Sequence, residues 1–147
     1  MAFMAFMAFM AFMGNCSPHE TLLTACSTGD KRLAEECHSR GAHNLGQAMF
    51  VAAKVGRIDM IEWCRNKSLD GLCDDYKKYY DPFIDYGDDI MEYACQGSQL
   101  EVCKWLRSNG VSIPPTVLYI AEKNGSNDIV LWCREKGVRC PVRPPWW

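Results

Sequence analysis

The chain has 147 residues, the length of one ordinary domain, and its 48% hydrophobic content is enough to build a sizeable core. Sixteen basic residues against 18 acidic ones give a formal charge of −2, so no global field favours nucleic acid or an anionic membrane. Nine cysteines without a CxxC pair, and three histidines off zinc-finger spacing, fit reduced thiols in an intracellular compartment better than a disulfide scaffold or a zinc site.

In chain order, residues 1–16 form an apolar low-complexity arm, opening with four Met-Ala-Phe triplets and Met13. As a helix the thirteen apolar residues would extend only about 20 Å, short of a bilayer core of about 30 Å. A basic n-region and a small-residue cleavage site are both missing, and a start at Met13 would expose an acylation-like Gly14-Asn15-Cys16-Ser17 spoiled by Pro18. Two readings stay open: a repeat expansion without a role, or an arm whose Phe3, Phe6, Phe9 and Phe12 dock in a groove of this fold or of a partner. Membrane contact, if any, falls to residues 1–13.

From residue 17 onward four alanines set a register: Ala25, Ala52, Ala94 and Ala121, separated by 27, 42 and 27 residues. Each follows a long aliphatic side chain by three positions (Leu22, Met49, Met91, Leu118) and precedes Gly29, Gly56, Ser98 or Gly125 by four. Further on come Leu33/Ala34, Met60/Ile61, Val102/Cys103 and Ile129/Val130, then Cys37, Cys64, Leu106 and Cys133, positions that share one face of a helix. Gly41, Ser68, Gly110 and Gly137 stand at the expected helix stops. The pattern predicts an all-α fold, a short α-solenoid of four helix-turn-helix repeats at about 17–43, 44–69, 88–112 and 114–141, because a lone pair of short helices cannot bury its own apolar face. Start signals agree: Ser17-Pro18-His19-Glu20 supplies an N-cap, a first-turn proline and a capping-box glutamate, and Ser98-Gln99-Leu100-Glu101 repeats the capping-box spacing.

Between the second and third repeats lies an insertion, residues 70–87, rich in acid and tyrosine. Insertions of this kind are often binding loops, which makes Tyr76, Tyr79, Tyr80, Phe83 and Tyr86 candidate partner contacts. The alternative is a solvated acidic loop in which Asp88 or Asp89 caps the next helix. The tail, residues 142–147, ends in Trp146 and Trp147, which either cap the last repeat or anchor a partner. Trp63, Trp105 and Trp132 share one register, as do Cys37, Cys64 and Cys133, so packing explains their spacing, with an exposed aromatic ladder as the alternative for the tryptophans. His38 follows Cys37 but points to a different helix face, and neither an EF-hand nor a phosphate-binding loop is present.

The stretches Thr21-Leu22-Leu23-Thr24-Ala25-Cys26-Ser27-Thr28-Gly29-Asp30, Ser39-Arg40-Gly41-Ala42 and Leu100-Glu101-Val102-Cys103-Lys104-Trp105-Leu106-Arg107-Ser108-Asn109-Gly110 resemble ankyrin repeats. With Gly137-Val138-Arg139-Cys140-Pro141 closing the fourth copy, the likeness is to the shortened ankyrin-like arrays of large DNA viruses, over roughly residues 17–141. Leu23, Phe50, Glu92 and Tyr119 stand where the T-P-L-H signature would place its histidine, and the period is shorter than the usual length of about 33. The resemblance implies a recognition scaffold without shared catalytic residues, hence a non-catalytic adaptor for a protein partner such as a host factor, in the host cytoplasm if viral. The alternative is a structural assembly component, such as a minor virion protein anchored through residues 1–13 and the Trp-rich tail. No catalytic residue, cofactor site or metal-ligand set is predicted, and nucleic acid is not an expected partner.

Overall fold

The computed structural model describes residues 17–70 and 72–139. Among these residues the chain forms nine helices and no strand, so the all-α expectation holds. The helices are α1 (Pro18–Thr28), α2 (Lys31–Ser39), α3 (Leu45–Val55), α4 (Ile58–Leu69), α5 (Asp74–Lys77), α6 (Pro82–Gln96), α7 (Leu100–Ser108), α8 (Pro115–Asn124) and α9 (Asn127–Glu135).

Local chemistry sets the ends of these helices. Ser17 caps α1, its Oγ accepting from the His19 N–H at 3.2 Å ahead of Pro18 in the first turn, and Asp30 caps α2 by accepting from the Leu33 N–H at 3.0 Å. The turn after each alanine needs a left-handed residue, and Gly29 (φ 79°), Gly56 (φ 85°) and Gly125 (φ 71°) provide it. After Ala94 it is Ser98 that takes that conformation (φ 55°) without being glycine. Its hydroxyl then lies 2.6 Å from the Ser126 hydroxyl, so Ser98 is not the N-cap of α7; Gln99 occupies that place and makes no side-chain cap bond.

Two further boundaries differ from the spacing. Ser68 does not stop a helix: α4 runs to Leu69, and the Ser68 hydroxyl donates back to the Cys64 carbonyl at 2.9 Å, as a residue without glycine's freedom at positive φ can do. Nor do Asp88 or Asp89 cap the helix after the insertion. That helix, α6, begins at Pro82 with Asp81 as its cap, the carboxylate accepting from the Phe83 N–H at 3.0 Å, so residues 82–87 are helical and Asp88 and Asp89 lie inside α6.

Packing follows a simple order. α1 packs on α3, α3 on α6 and α6 on α8, while α2, α4, α7 and α9 each pack on the helix that precedes them in this series. The fully buried alanines Ala25, Ala52, Ala94 and Ala121 let these helices approach, with Leu22, Met49, Met91 and Leu118 filling the core beside them. The turns also stack: the Arg57 side chain lies over Gly29, Gln99 over Gly56, and Ser126 against Ser98.

The tryptophan column is mainly packing. Trp63 and Trp132 are buried and Trp105 is half-buried. The Trp63 indole N–H donates to Glu35 Oε1 at 2.8 Å, and Lys67 Nζ sits 3.0 Å from the other carboxylate oxygen; the indole first and then Lys67 hold the Glu35 carboxyl below its usual range. The cysteines at shared positions are core residues. Cys26 and Cys64 lie with their sulfurs 3.8 Å apart, and the Cys95 thiol donates to the Val117 carbonyl at 3.3 Å.

Burial pushes the Cys95 and Cys103 thiols up to about 12, and the Cys64 thiol is raised by its contact with Cys26 and by burial. Alkylation proceeds through the thiolate, so iodoacetamide at pH 8 should label exposed Cys73 in the folded protein while Cys26, Cys37, Cys64, Cys95, Cys103 and Cys133 react only after denaturation. Peptide mapping by mass spectrometry checks this, and native labelling of Cys64 at the rate of Cys73 would refute it.

Candidate functional site

An exposed aromatic cluster crosses the junction between α3 and α6. Tyr86 and Tyr93 are seven residues apart on α6, two turns along one face. Phe50 of α3 stacks on Tyr93, with ring centroids 4.9 Å apart and planes 10° from parallel, and meets Tyr86 edge-on at 6.2 Å. Both tyrosines stay open to solvent, Tyr86 at 39% and Tyr93 at 36% exposure. The rings are therefore held in place by one another while still presenting surface to a partner. The Thr116 hydroxyl of α8 donates to the carboxylate of Glu92, the residue before Tyr93, which ties α8 to α6.

The insertion carries further exposed apolar side chains. Tyr76 on α5 and Tyr79 after it are 68% and 79% exposed, and Ile84 is exposed on the first turn of α6. Tyr80 is half-buried; partial burial raises its phenol above the ordinary range, with Tyr86, Asp85 and Asp81 adding to the effect.

Phe83 does not belong with the exposed tyrosines. It is 5% exposed, with the Trp105 ring in a T-shaped contact at a centroid separation of 5.6 Å and the Arg65 guanidinium 4.0 Å above its own centroid. Arg65 also grips Asp81, Nη2 to Oδ2 at 2.6 Å and Nε to Oδ1 at 3.2 Å. The same carboxylate caps α6, so Arg65, Asp81 and Phe83 form a rivet between α4, the insertion and α6.

Of the residues expected from sequence to meet a partner, Tyr76, Tyr79 and Tyr86 are exposed, Tyr80 is half-buried and Phe83 is core. Phe3, Phe6, Phe9, Phe12, Trp146 and Trp147 lie outside the described residues. Spacing missed Phe50 and Tyr93, although Phe50 stands in the column where the ankyrin signature has histidine and Tyr93 is two turns from Tyr86. Among the described residues no group of three or more His, Cys, Asp or Glu is placed to hold a metal ion, and no helix is long and apolar enough to cross a membrane.

The geometry thus defines an all-helical chain with an aromatic face on adjoining helices. No protein-family model, curated protein or solved structure matches it.

Proposed function

We propose that the chain is a non-catalytic protein-interaction scaffold: a short α-solenoid of four ankyrin-like helix-turn-helix units that offers the Phe50–Tyr86–Tyr93 face and the adjoining tyrosines to a protein partner. The observation that carries this reading is the aromatic cluster itself, because large rings immobilised before binding contribute contact area at little entropic cost. Support for the repeat comes from the ordered packing of α1, α3, α6 and α8 and from the stacked turns at Gly29, Gly56 and Ser98. The likeness to viral arrays directs the search for the partner to host cytoplasmic proteins. The alternative of a virion component rests on residues 1–13 and the Trp-rich tail.

A photoreactive phenylalanine analogue placed at Tyr93 tests the reading against the same analogue at Glu101, exposed on α7. A discrete protein adduct should form from position 93 and not from position 101, and Tyr86→Ala should weaken capture of that protein by about 30-fold, the scale of a central aromatic contact. Equal adducts from both positions, or none from position 93, would reject this face.

A further inference from the structure

α7 and α9 border a cleft of about 430 Å³, lined by Lys104, Arg107, Ser108, Trp132, Glu135 and Lys136. Lys104, Arg107 and Lys136 enter none of the ion pairs formed among the described residues, and Glu135 is the one carboxylate in the lining, so the cleft is net positive. Complementing the dipole at a helix C-terminus accounts for Arg107 and Lys136, but not for Lys104 in the middle of α7. Trp132 adds a neutral donor. It is only 6% exposed, and its indole N–H donates to no group among the described residues. That nitrogen is nevertheless not sealed from solvent, so the small surface Trp132 keeps at the cleft includes an unpartnered donor.

The junction of α2 with α4 shows what the same pair of donors holds elsewhere in this fold. Trp63 and Lys67 stand 11 and 15 residues after Ala52, as Trp132 and Lys136 stand after Ala121. Both donate to Glu35 of α2, the Trp63 indole N–H to Oε1 at 2.8 Å and Lys67 Nζ to Oε2 at 3.0 Å. Glu35 follows Ala25 by ten residues, and the residue that follows Ala94 by ten is Lys104 of α7. A tryptophan and a lysine of equal spacing thus share a carboxylate at one junction and line a cleft with further cations at the other.

We propose that the cleft between α7 and α9 binds an acidic peptide segment of a partner protein, one carboxylate of which takes the place that Glu35 holds between Trp63 and Lys67. One oxygen of that carboxylate accepts from the Trp132 indole and the other from Lys136, a charge-assisted pair of the kind formed at the α2–α4 junction. Lys104 and Arg107 remain for a neighbouring acidic side chain. Three cations against the single carboxylate of Glu135 leave an excess of two positive charges, so consecutive acidic residues complement the cleft better than an isolated one. None of the lining residues belongs to the Phe50–Tyr86–Tyr93 face, and the two surfaces are tested independently.

Proton–nitrogen correlation spectra of the full chain test this, because each indole N–H gives its own signal. The probe is an N-acetylated, C-amidated tetraglutamate peptide, with tetraglutamine as the uncharged control. In about 50 mM NaCl, where screening is weak, tetraglutamate should shift the Trp132 indole signal, assigned by its loss in Trp132→Phe, and leave the Trp63 signal in place. Tetraglutamine should shift neither. Lys136→Gln should weaken tetraglutamate binding about tenfold, the scale of one charge-assisted contact. Lys104→Glu restores a carboxylate at the position of Glu35, so it should move the Trp132 signal without any peptide and abolish the response to tetraglutamate. Lys104→Gln, expected to weaken binding several-fold, replaces it if that variant loses its helical circular dichroism. Tyr86→Ala/Tyr93→Ala should respond like the wild type. An unmoved Trp132 signal at millimolar tetraglutamate, an equal shift with tetraglutamine, or wild-type binding by the Lys104 variants would each overturn the proposal. A larger response to inorganic phosphate than to tetraglutamate would overturn the peptide as the ligand.

Discussion

Gly97→Ala should destabilise the protein by about 3 kcal/mol and lower its melting temperature by roughly 10 °C, although it adds only one methyl group. Gly97 ends α6 at φ −85°, a conformation any residue adopts, so backbone strain is not the cause. The cause is proximity to α3: a Cβ at this position would overlap the Lys54 carbonyl oxygen and lie 2.8 Å from its carbonyl carbon. Those atoms belong to a backbone locked in the last turn of α3, so the helices must separate and lose contact around Ala52 and Ala94. Gly46, in the first turn of α3, is the internal control, since a Cβ there meets nothing within 4 Å. Gly46→Ala should stabilise by about 0.5–1 kcal/mol through lower unfolded-state entropy and better helix propensity. Urea titration of both variants measures the contrast; equal midpoints for Gly97→Ala and the wild type would contradict the close approach of α3 and α6.

Gly97 also shows where residue spacing stops informing. The alanine register and the turn glycines are legible because each is a local requirement repeated along the chain: a small residue where helices meet, and a left-handed residue four positions later. What depends on two distant segments at once leaves no such mark. After Ala94 comes the adjacent pair Gly97-Ser98, and spacing draws attention to Ser98, yet the close interhelix approach falls on Gly97 and the Ser98 hydroxyl is engaged by Ser126, 28 residues away. The start of α6 was legible in principle, because Asp81-Pro82 repeats the cap-then-proline logic of Ser17-Pro18. Register carried over from the alanine spacing places the cap at Asp88 or Asp89 instead, since α6 is longer than α1, α3 and α8.

The candidate face divides in the same way. Tyr76, Tyr79 and Tyr86 stand out because tyrosine is concentrated in the insertion, and composition is a local property. Phe50 and Tyr93 do not, because they lie far apart in the chain and become partners only when α3 lies against α6. Composition misleads over Phe83 for a related reason: an aromatic residue in an acidic insertion suits solvent exposure until Arg65 and Trp105, 18 and 22 residues away on other helices, close over it.

Phe83→Ala should therefore cost about 3–4 kcal/mol, as loss of a buried ring usually does, whereas Tyr79→Ala should change stability by less than about 0.5 kcal/mol. The ring fills space between α4, α6 and α7, and its removal also leaves the Arg65 guanidinium without its aromatic face. Asp81 remains to pair with Arg65, so the cap of α6 should persist while the packing beneath it is lost. Phe83→Leu separates the contributions: most of the apolar volume is kept and the cation–π and edge-to-face terms are removed, giving about 1–2 kcal/mol. Chemical denaturation of the three variants, with amide exchange across residues 74–90, provides the measurement. Phe83→Ala should speed exchange in the insertion and the first turns of α6, where Tyr79→Ala leaves it unchanged. If the two alanine variants were equally stable, Phe83 would be a surface side chain and the rivet joining the insertion to α4 and α7 would not exist.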